Sequence, residues 1–230
     1  MKTREPDALD RSRHAAPQVF ERLREQIVTL ELAPATVLSR VDLATRYGLS
    51  QTPVRDALIR LGEEGLVDIF PQHATVVSRI NLKSARQAHF LRRSVELEVV
   101  RTLAEAGDPA LTERLRRTIE RQRQLVAAND YAEFLKEDHA LHRQMYEAAG
   151  VTELWDLVRR LSGHIDRLRQ LHLPVAGKTE MVVQDHVAIV DAIAARDVAK
   201  AQAALSEHLG GTLARIDVVR RSHPDYVTEG

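Results

Sequence analysis

The sequence contains no cysteine, so it has neither a disulfide framework nor a thiolate metal site, and a reducing cytoplasm is the compartment it suits. No uninterrupted apolar run approaches the roughly 20 residues that cross a bilayer. The opening "MKTREPDALDRSRH" also lacks the apolar core of a secretory signal. A cytoplasmic protein with no membrane partner is expected. Aromatic residues are scarce, with one Trp, four Tyr and four Phe. Neither sign of charge is in excess: Lys plus Arg and Asp plus Glu number 33 each, and residues 1–79 carry 11 of each sign. Nucleic-acid binders often show a basic excess; any such role here must rest on where individual arginines sit. Histidine alone is plentiful, at ten residues in 230.

Residues 1–16 are polar and patternless, and a mobile arm is expected there. Val19, Leu23, Ile27 and Leu30 then recur at helical spacing, with "LAPATVL" ending that helix at Pro34. A short second helix, "RVDLATRYG", buries Leu43, Ala44 and Tyr47 and stops at Gly48. In "LSQTPVRDALIRLGEEGLV", Val54, Ala57, Leu58 and Leu61 share one face. The β-branched "LVDIFPQHATVVSRI" follows, broken by Pro-Gln-His, and reads as a two-stranded hairpin. Three helices and a hairpin make a winged helix-turn-helix over residues 17–79, although a small α+β scaffold without nucleic acid fits the same pattern. Beyond Asn81 nearly everything reads as helix, in segments 83–106, 109–128, 130–149, 151–172, 179–195 and 197–221. Gly, Asp, Asn and Pro mark the joints. The expected fold is mainly α: the winged domain, then an antiparallel bundle of about six helices over residues 80–222, then a tail at 223–230.

In a helix-turn-helix, the start of the second helix reaches base edges and phosphates. Ser50 can cap that helix and leave N–H groups for a phosphate, and Pro53 costs little in the first turn. Gln51 and Arg55, four apart, lie opposite the buried face. Arg55 suits a phosphate or guanine, and Gln51 an adenine or phosphate. A capped surface helix with a solvated arginine would explain Ser50 and Pro53 equally well.

"LSRVDLATRYGLSQTPVRDALIRLGEEGLVDIFPQHATVV" resembles the DNA-binding domain of the GntR family of bacterial transcription regulators. The resemblance implies DNA contacts from Ser50, Gln51, Thr52 and Arg55, and from the wing at Gln72 and His73. Gln51 stands where the family commonly has Arg, and Ala74 where its wing commonly has Gly, so base preference and wing shape are expected to differ.

In the second half, "KEDHALHRQMYEAAG" sets Asp138 and His142 four apart on one helix face, able to share a target. His186 and His208 belong to two later helices, each beside an apolar face. One carboxylate and three imidazoles suit a divalent transition metal such as zinc, nickel or manganese; taken singly, each histidine also reads as a satisfied core residue. These positions, with "DH" at 185–186 and "A—HL" at 203–209, resemble the ligand-binding FCD domain of FadR-like GntR proteins. In many of those the matching Asp and three His bind a metal at the base of an effector pocket. The acyl-CoA-binding branch lacks the quartet. "FLRRSVELEVV" resembles that subgroup's Arg-x-x-x-Glu element, which makes Arg92 and Glu96 effector-binding candidates; in a plain helix they form an i,i+4 ion pair.

The reading is a homodimeric DNA-binding regulator and repressor of bacterial metabolism, not an enzyme. Its partners are double-stranded operator DNA and a small organic acid. Dimerisation follows from operator logic, because one recognition helix reads too few bases. The alternatives are a metal-responsive regulator and a metal-dependent enzyme acting on a small carboxylate. Against the enzyme, four protein ligands leave less room for an activated water than three would, and "HALH" has Leu141 where a zinc protease has a general base.

Overall fold

The computed structural model describes residues 9–230 except 72, 176 and 215, and divides into two compact units. Gln72 and residues 1–8 of the expected arm lie outside the described residues. The first unit joins the N-terminal 82 residues to His223–Gly230; the second spans Lys83–Ser222.

The first unit is built on three helices, α1 (Ala15–Val28), α2 (Arg40–Tyr47) and α3 (Gln51–Glu63). Val19, Leu23 and Ile27 of α1 pack with Val54, Ala57, Leu58 and Leu61 of α3 in one buried cluster. Arg60 lies over the Phe20 ring at 4.1 Å, and Arg24 pairs with Glu64 at 2.7 Å, so charged side chains also tie α1 to α3. Helix α1 ends well before Pro34: Thr29 bonds back to the Glu25 carbonyl, and Leu30 takes a positive φ that turns the chain. Ser39 caps α2 by accepting the Asp42 N–H, and Gly48 closes it at φ 65, a conformation that favours glycine. Strands β1 (Val37–Leu38), β2 (Val67–Phe70) and β3 (Ala74–Val77) form an antiparallel sheet in the order β1-β3-β2. Phe70 pairs with Ala74 and the His73 N–H bonds to the Phe70 carbonyl, so the hairpin reverses between β2 and β3, where the sequence pattern places it.

Residues 223–230 do not hang free as a tail. Strand β5 (Val227–Thr228) pairs in parallel with β4 (Ile80–Asn81), setting Val227 opposite the buried Ile80. Two-residue strands are too short to leave a periodic signal.

The second unit has eight helices among its described residues rather than about six: α4 (Leu82–Ala106), α5 (Pro109–Ala128), α6 (Tyr131–Ala148), α7 (Thr152–Leu161), α8 (Gly163–His172), α9 (Lys178–Ala194), α10 (Val198–Leu213) and α11 (Ile216–Ser222). The surplus comes from two breaks. At Ser162 the hydroxyl bonds to the Val158 carbonyl and separates α7 from α8. Helix α10 ends soon after Gly210–Gly211, a pair that weakens its last turn. Helix α9 packs against α5 and α10, and α5 against α6, around a core that includes Leu115, Phe134, Leu141, Ile189 and Leu205.

Leu61 is fully buried between α1 and the sheet. Leu61→Ala is expected to destabilise the first unit by about 2–5 kcal/mol, read as a lower urea midpoint with a probe in that unit.

Candidate metal centre and nucleic-acid interface

Ser50, Gln51, Thr52 and Arg55 are all exposed at the start of α3, with Val54, Ala57 and Leu58 on the opposite, buried side. Ser50 occupies the N-cap position, but its side chain makes no capping hydrogen bond. The first-turn N–H groups are therefore not satisfied by it and are available to an anion. Gln51 and Arg55 line one side of a cleft of about 500 Å³ whose other side carries Pro71 and the exposed His73. Arg40, at the start of α2, also borders it. The nearest carboxylate to Arg55 is that of Asp56, at 3.6 Å from Nε, and both side chains are exposed. The sequence did not announce the cleft's apolar lining: Val37, Val41, Ile59, Ile69 and Phe70 are large, exposed and within it. Sugars and thymine methyl groups are what such a surface meets on a duplex.

In the second unit, Asp138 and His142 of α6 meet His186 of α9 and His208 of α10. All four are buried, and one ligand atom from each lies within 4.8 Å of the others. His142 Nε2 is 3.3 Å from His208 Nε2, and His186 Nε2 is 3.5 Å from Asp138 Oδ1. Atoms about 2.1 Å from one ion stand roughly 3–4 Å apart, so this spacing suits a single cation.

The outer nitrogen of each ring faces a side chain that can accept its proton. His142 Nδ1 lies 2.9 Å from Glu96 Oε2, His186 Nδ1 2.8 Å from Gln122 Oε1, and His208 Nδ1 3.5 Å from Asp185 Oδ2. The close partners of His142 and His186 favour a proton on Nδ1 with the Nε2 lone pair turned inward, and Asp185 biases His208 the same way from a longer distance. The Nε2 atoms of His142 and His208 then face each other lone pair to lone pair. Asp138 Oδ2 and His186 Nε2 have no hydrogen-bond partner among the described residues, while Asp138 Oδ1 is held by Arg169. Orphaned acceptors and facing lone pairs are what a cation relieves, so the donor set fits a metal.

Electrostatics agree. Burial, reinforced by the neighbouring His208, holds the His186 imidazole well below its usual range. Burial also lowers His208 against the opposing pull of Asp185. Both rings are thus neutral near pH 7, as ligands must be. Burial would raise the Asp138 carboxyl, but Arg169, with Nη2 at 2.6 Å, leads the charges that outweigh it and hold Asp138 well below the usual carboxylate range.

Arg92 and Glu96 form the i,i+4 pair, at 2.6 Å and buried. Burial alone would raise Glu96; Arg92 and His142 outweigh it and bring it down to about 2. Glu96 therefore stands behind His142. Arg92 instead lines a small cavity of about 20 Å³ together with His89, Arg169, His172, Lys178 and His208. Glu96 is not part of that lining.

Sequence reasoning missed Arg169, Lys178, Gln122, His89 and His172. Gln122 and Arg169 carry no usable spacing signal, since their partners lie on other helices. Asp185 was adjacent to His186 in a quoted motif and was within reach. A second buried group also went unread: Asp166 takes Arg159 at 2.7 Å and His139 at 3.5 Å, and His139 is pushed down to about 4 by burial and then by Arg159.

Known proteins share both halves. Residues 15–77 match the family of bacterial regulatory proteins, gntR family, and residues 87–211 match the FCD domain. An HTH-type transcriptional regulator in an unstable DNA locus of Streptomyces ambofaciens is 36% identical over 207 residues, which cover 90% of this chain and 87% of that protein. The HTH-type transcriptional repressor RspR of Escherichia coli (strain K12) is 28% identical, over 92% of this chain and 93% of its own. Among solved structures, E. coli McbR/YncC aligns with a TM-score of 0.76 at 21% identity, over 88% of this chain and 96% of that one. A putative transcriptional regulator GntR from Rhodococcus sp. RHA1 reaches 0.72 at 21% identity, over 87% and 96%. At these identities the two structures speak for the fold.

Proposed function

The chain belongs to the gntR family of bacterial regulatory proteins and carries an FCD domain, and from that premise we propose a cytoplasmic, homodimeric repressor whose operator affinity is set by a small organic acid bound beside a divalent metal. The relatives are transcription regulators rather than enzymes, and this chain is a regulator too. The repressor sense follows RspR, which is described as one.

The start of α3 enters the major groove in this reading, with Arg55 on a guanine or phosphate, Gln51 on an adenine, and Ser50 and Thr52 at the backbone. Gln72 and His73 supply the wing contact. A dimer places two such helices on the half-sites of a near-palindrome.

Asp138, His142, His186 and His208 hold zinc, nickel or manganese, and the ion supplies a Lewis-acidic anchor for a carboxylate. The carrying observation is the inward convergence of three Nε2 atoms and one carboxylate, each backed by its own partner. The surrounding charge says what binds next. Asp138, Glu96 and Asp185 balance Arg169, Arg92 and Lys178, so a divalent ion leaves the centre positive. An anion restores neutrality. Arg92 and Arg169 are placed to clamp its far end. A cavity of about 20 Å³ holds little more than one water-sized group, so an acid larger than that moves the walls, and wall movement is the signal passed to the DNA-binding domains. The same small volume favours a second reading in which the ion itself is the signal. Mild chelation separates the two: a sensor loses its ion and its operator response together, whereas an anchoring ion stays.

Arg55→Ala is expected to weaken operator binding by about 1–3 kcal/mol with no change in thermal stability; parental affinity would remove α3 from the groove. Gln51→Arg should change sequence more than strength, moving selection from a randomised duplex pool toward guanine at one symmetric position per half-site. An unchanged selected site would count against direct readout. His186→Ala is expected to abolish stoichiometric metal and any effect of small organic acids on operator binding, while metal-free binding persists. Gln122→Ala should lower metal affinity by roughly 10–100-fold. Metal analysis and operator titration with a panel of acids check both. A parent and a His186→Ala variant that lack metal alike yet respond alike would reduce the quartet to polar core.

A further inference from the structure

Helix α7 is apolar on two sides. Trp155 and Val158 are buried, with Trp155 edge-on to Tyr146 at a centroid distance of 5.4 Å. On the outer side Leu154, Leu157 and Leu161 are 39%, 38% and 49% exposed. Their spacing of i, i+3, i+7 is the seam along which two helices interlock.

The charges beside that seam are equally particular. Many exposed charges on the other helices are paired, within a helix as for Arg101 with Glu98 and Glu105, Lys136 with Glu133 and Arg143 with Glu147, or between helices as for Arg116 with Asp191. Glu153 and Arg160 are exposed and have no ion pair among the described residues. Seven residues apart, they occupy one flank of the leucine row, acid at its start and base at its end.

We propose that α7 packs antiparallel against α7 of a second copy of this chain, across a two-fold axis near Leu157. Leu154 then meets the partner's Leu161, and Glu153 meets the partner's Arg160, twice by symmetry. The patch is self-complementary, as an isologous interface requires. A parallel pairing would set acidic end beside acidic end and basic beside basic. Two ten-residue helices cover only part of the roughly 1,200–2,000 Å² of a stable interface, so α7 is its centre and not its whole. The inference rests on the homodimer reading above and assigns it a surface.

Sedimentation equilibrium of the full chain and its variants tests it. The parent is dimeric. Leu157→Asp puts two carboxylates near the axis and is expected to raise the dimer dissociation constant at least about 100-fold. Glu153→Arg and Arg160→Glu should each raise it about 10-fold, and the double reversal should return it to within about 3-fold of the parent. Because these side chains are exposed in the single chain, the far-ultraviolet circular dichroism of each variant stays at the parental value, and any fall in Tm follows the loss of dimer. A dimer indifferent to Leu157→Asp overturns the surface and leaves the homodimer standing. Charge reversals that fail to rescue each other overturn the antiparallel pairing, and a parent that is monomeric at micromolar concentration overturns both the surface and the homodimer.

Discussion

One carboxylate with no solvent exposure governs the second unit. An isolated buried charge costs several kcal/mol, and Asp138 sits on α6 at 0% exposure. Arg169 offsets it directly, and the arginine is itself buried, so the two are committed to each other. Arg92 is neutralised by Glu96, and Glu96 in turn orients His142. This chain of compensation leaves one carboxylate and three imidazoles converging on one point. The arrangement is hard to justify as structure alone, because apolar side chains of the same volume would serve a core as well or better. Its residual demand for a cation is what makes it a site.

Helix α8 carries much of that compensation. Gly163 to Arg169 are buried without a break, and His172 with them, so this helix has no solvent face for its charges. Asp166 is answered by Arg159 and His139 and Arg169 by Asp138, while Arg167 donates to the neutral His164 ring at 2.8 Å. Arg159 lies on α7 and Asp166 on α8, so the break at Ser162 is bridged by a 2.7 Å ion pair. Within two turns of one helix, Asp166 is tied to the leucine-striped α7 and Arg169 to the candidate metal centre. A shift of α8 at the cavity has few ways to leave α7 where it was, because close-packed interiors transmit displacement rather than absorb it.

How much of this was readable in the chain depended on whether the partner was local. The Val54, Ala57, Leu58 and Leu61 face, the Gly48 stop and the Pro-Gln-His turn are encoded within a few residues, and the winged fold follows from them. Asp138 and His142 declared themselves at i,i+4. His186 and His208 are lone histidines on separate helices; an apolar face beside each suggested them, and the family resemblance set them apart from the other seven. Arg92 and Glu96 offered two readings, an ion pair and a pocket element. The structure shows the pair, and it places Arg92 alone in the cavity wall. Arg169 lies in "GHIDRLRQLH", a stretch polar enough to read as partly exposed; that it is buried on every side is a property of the packing around it. The missing capping bond at Ser50 is likewise a feature that no spacing records.

A chain of zero net charge can still address a polyanion, because salt at physiological strength screens beyond about 8 Å. What matters is the charge within that radius of a phosphate. In the first unit Arg24 is held by Glu64, Arg13 by Glu21, and Arg60 lies over Phe20. Arg40 and Arg55 remain at the cleft between recognition helix and wing, Arg40 with no ion pair among the described residues and Arg55 with only the long contact to Asp56. With Arg24 and Arg13 held in ion pairs, Arg40 and Arg55 supply positive charge beside the first-turn N–H groups of α3. Such a surface has a weak long-range pull on DNA. It therefore discriminates through the few contacts made at close range, and discrimination, more than bulk affinity, is what a regulator searching a genome requires.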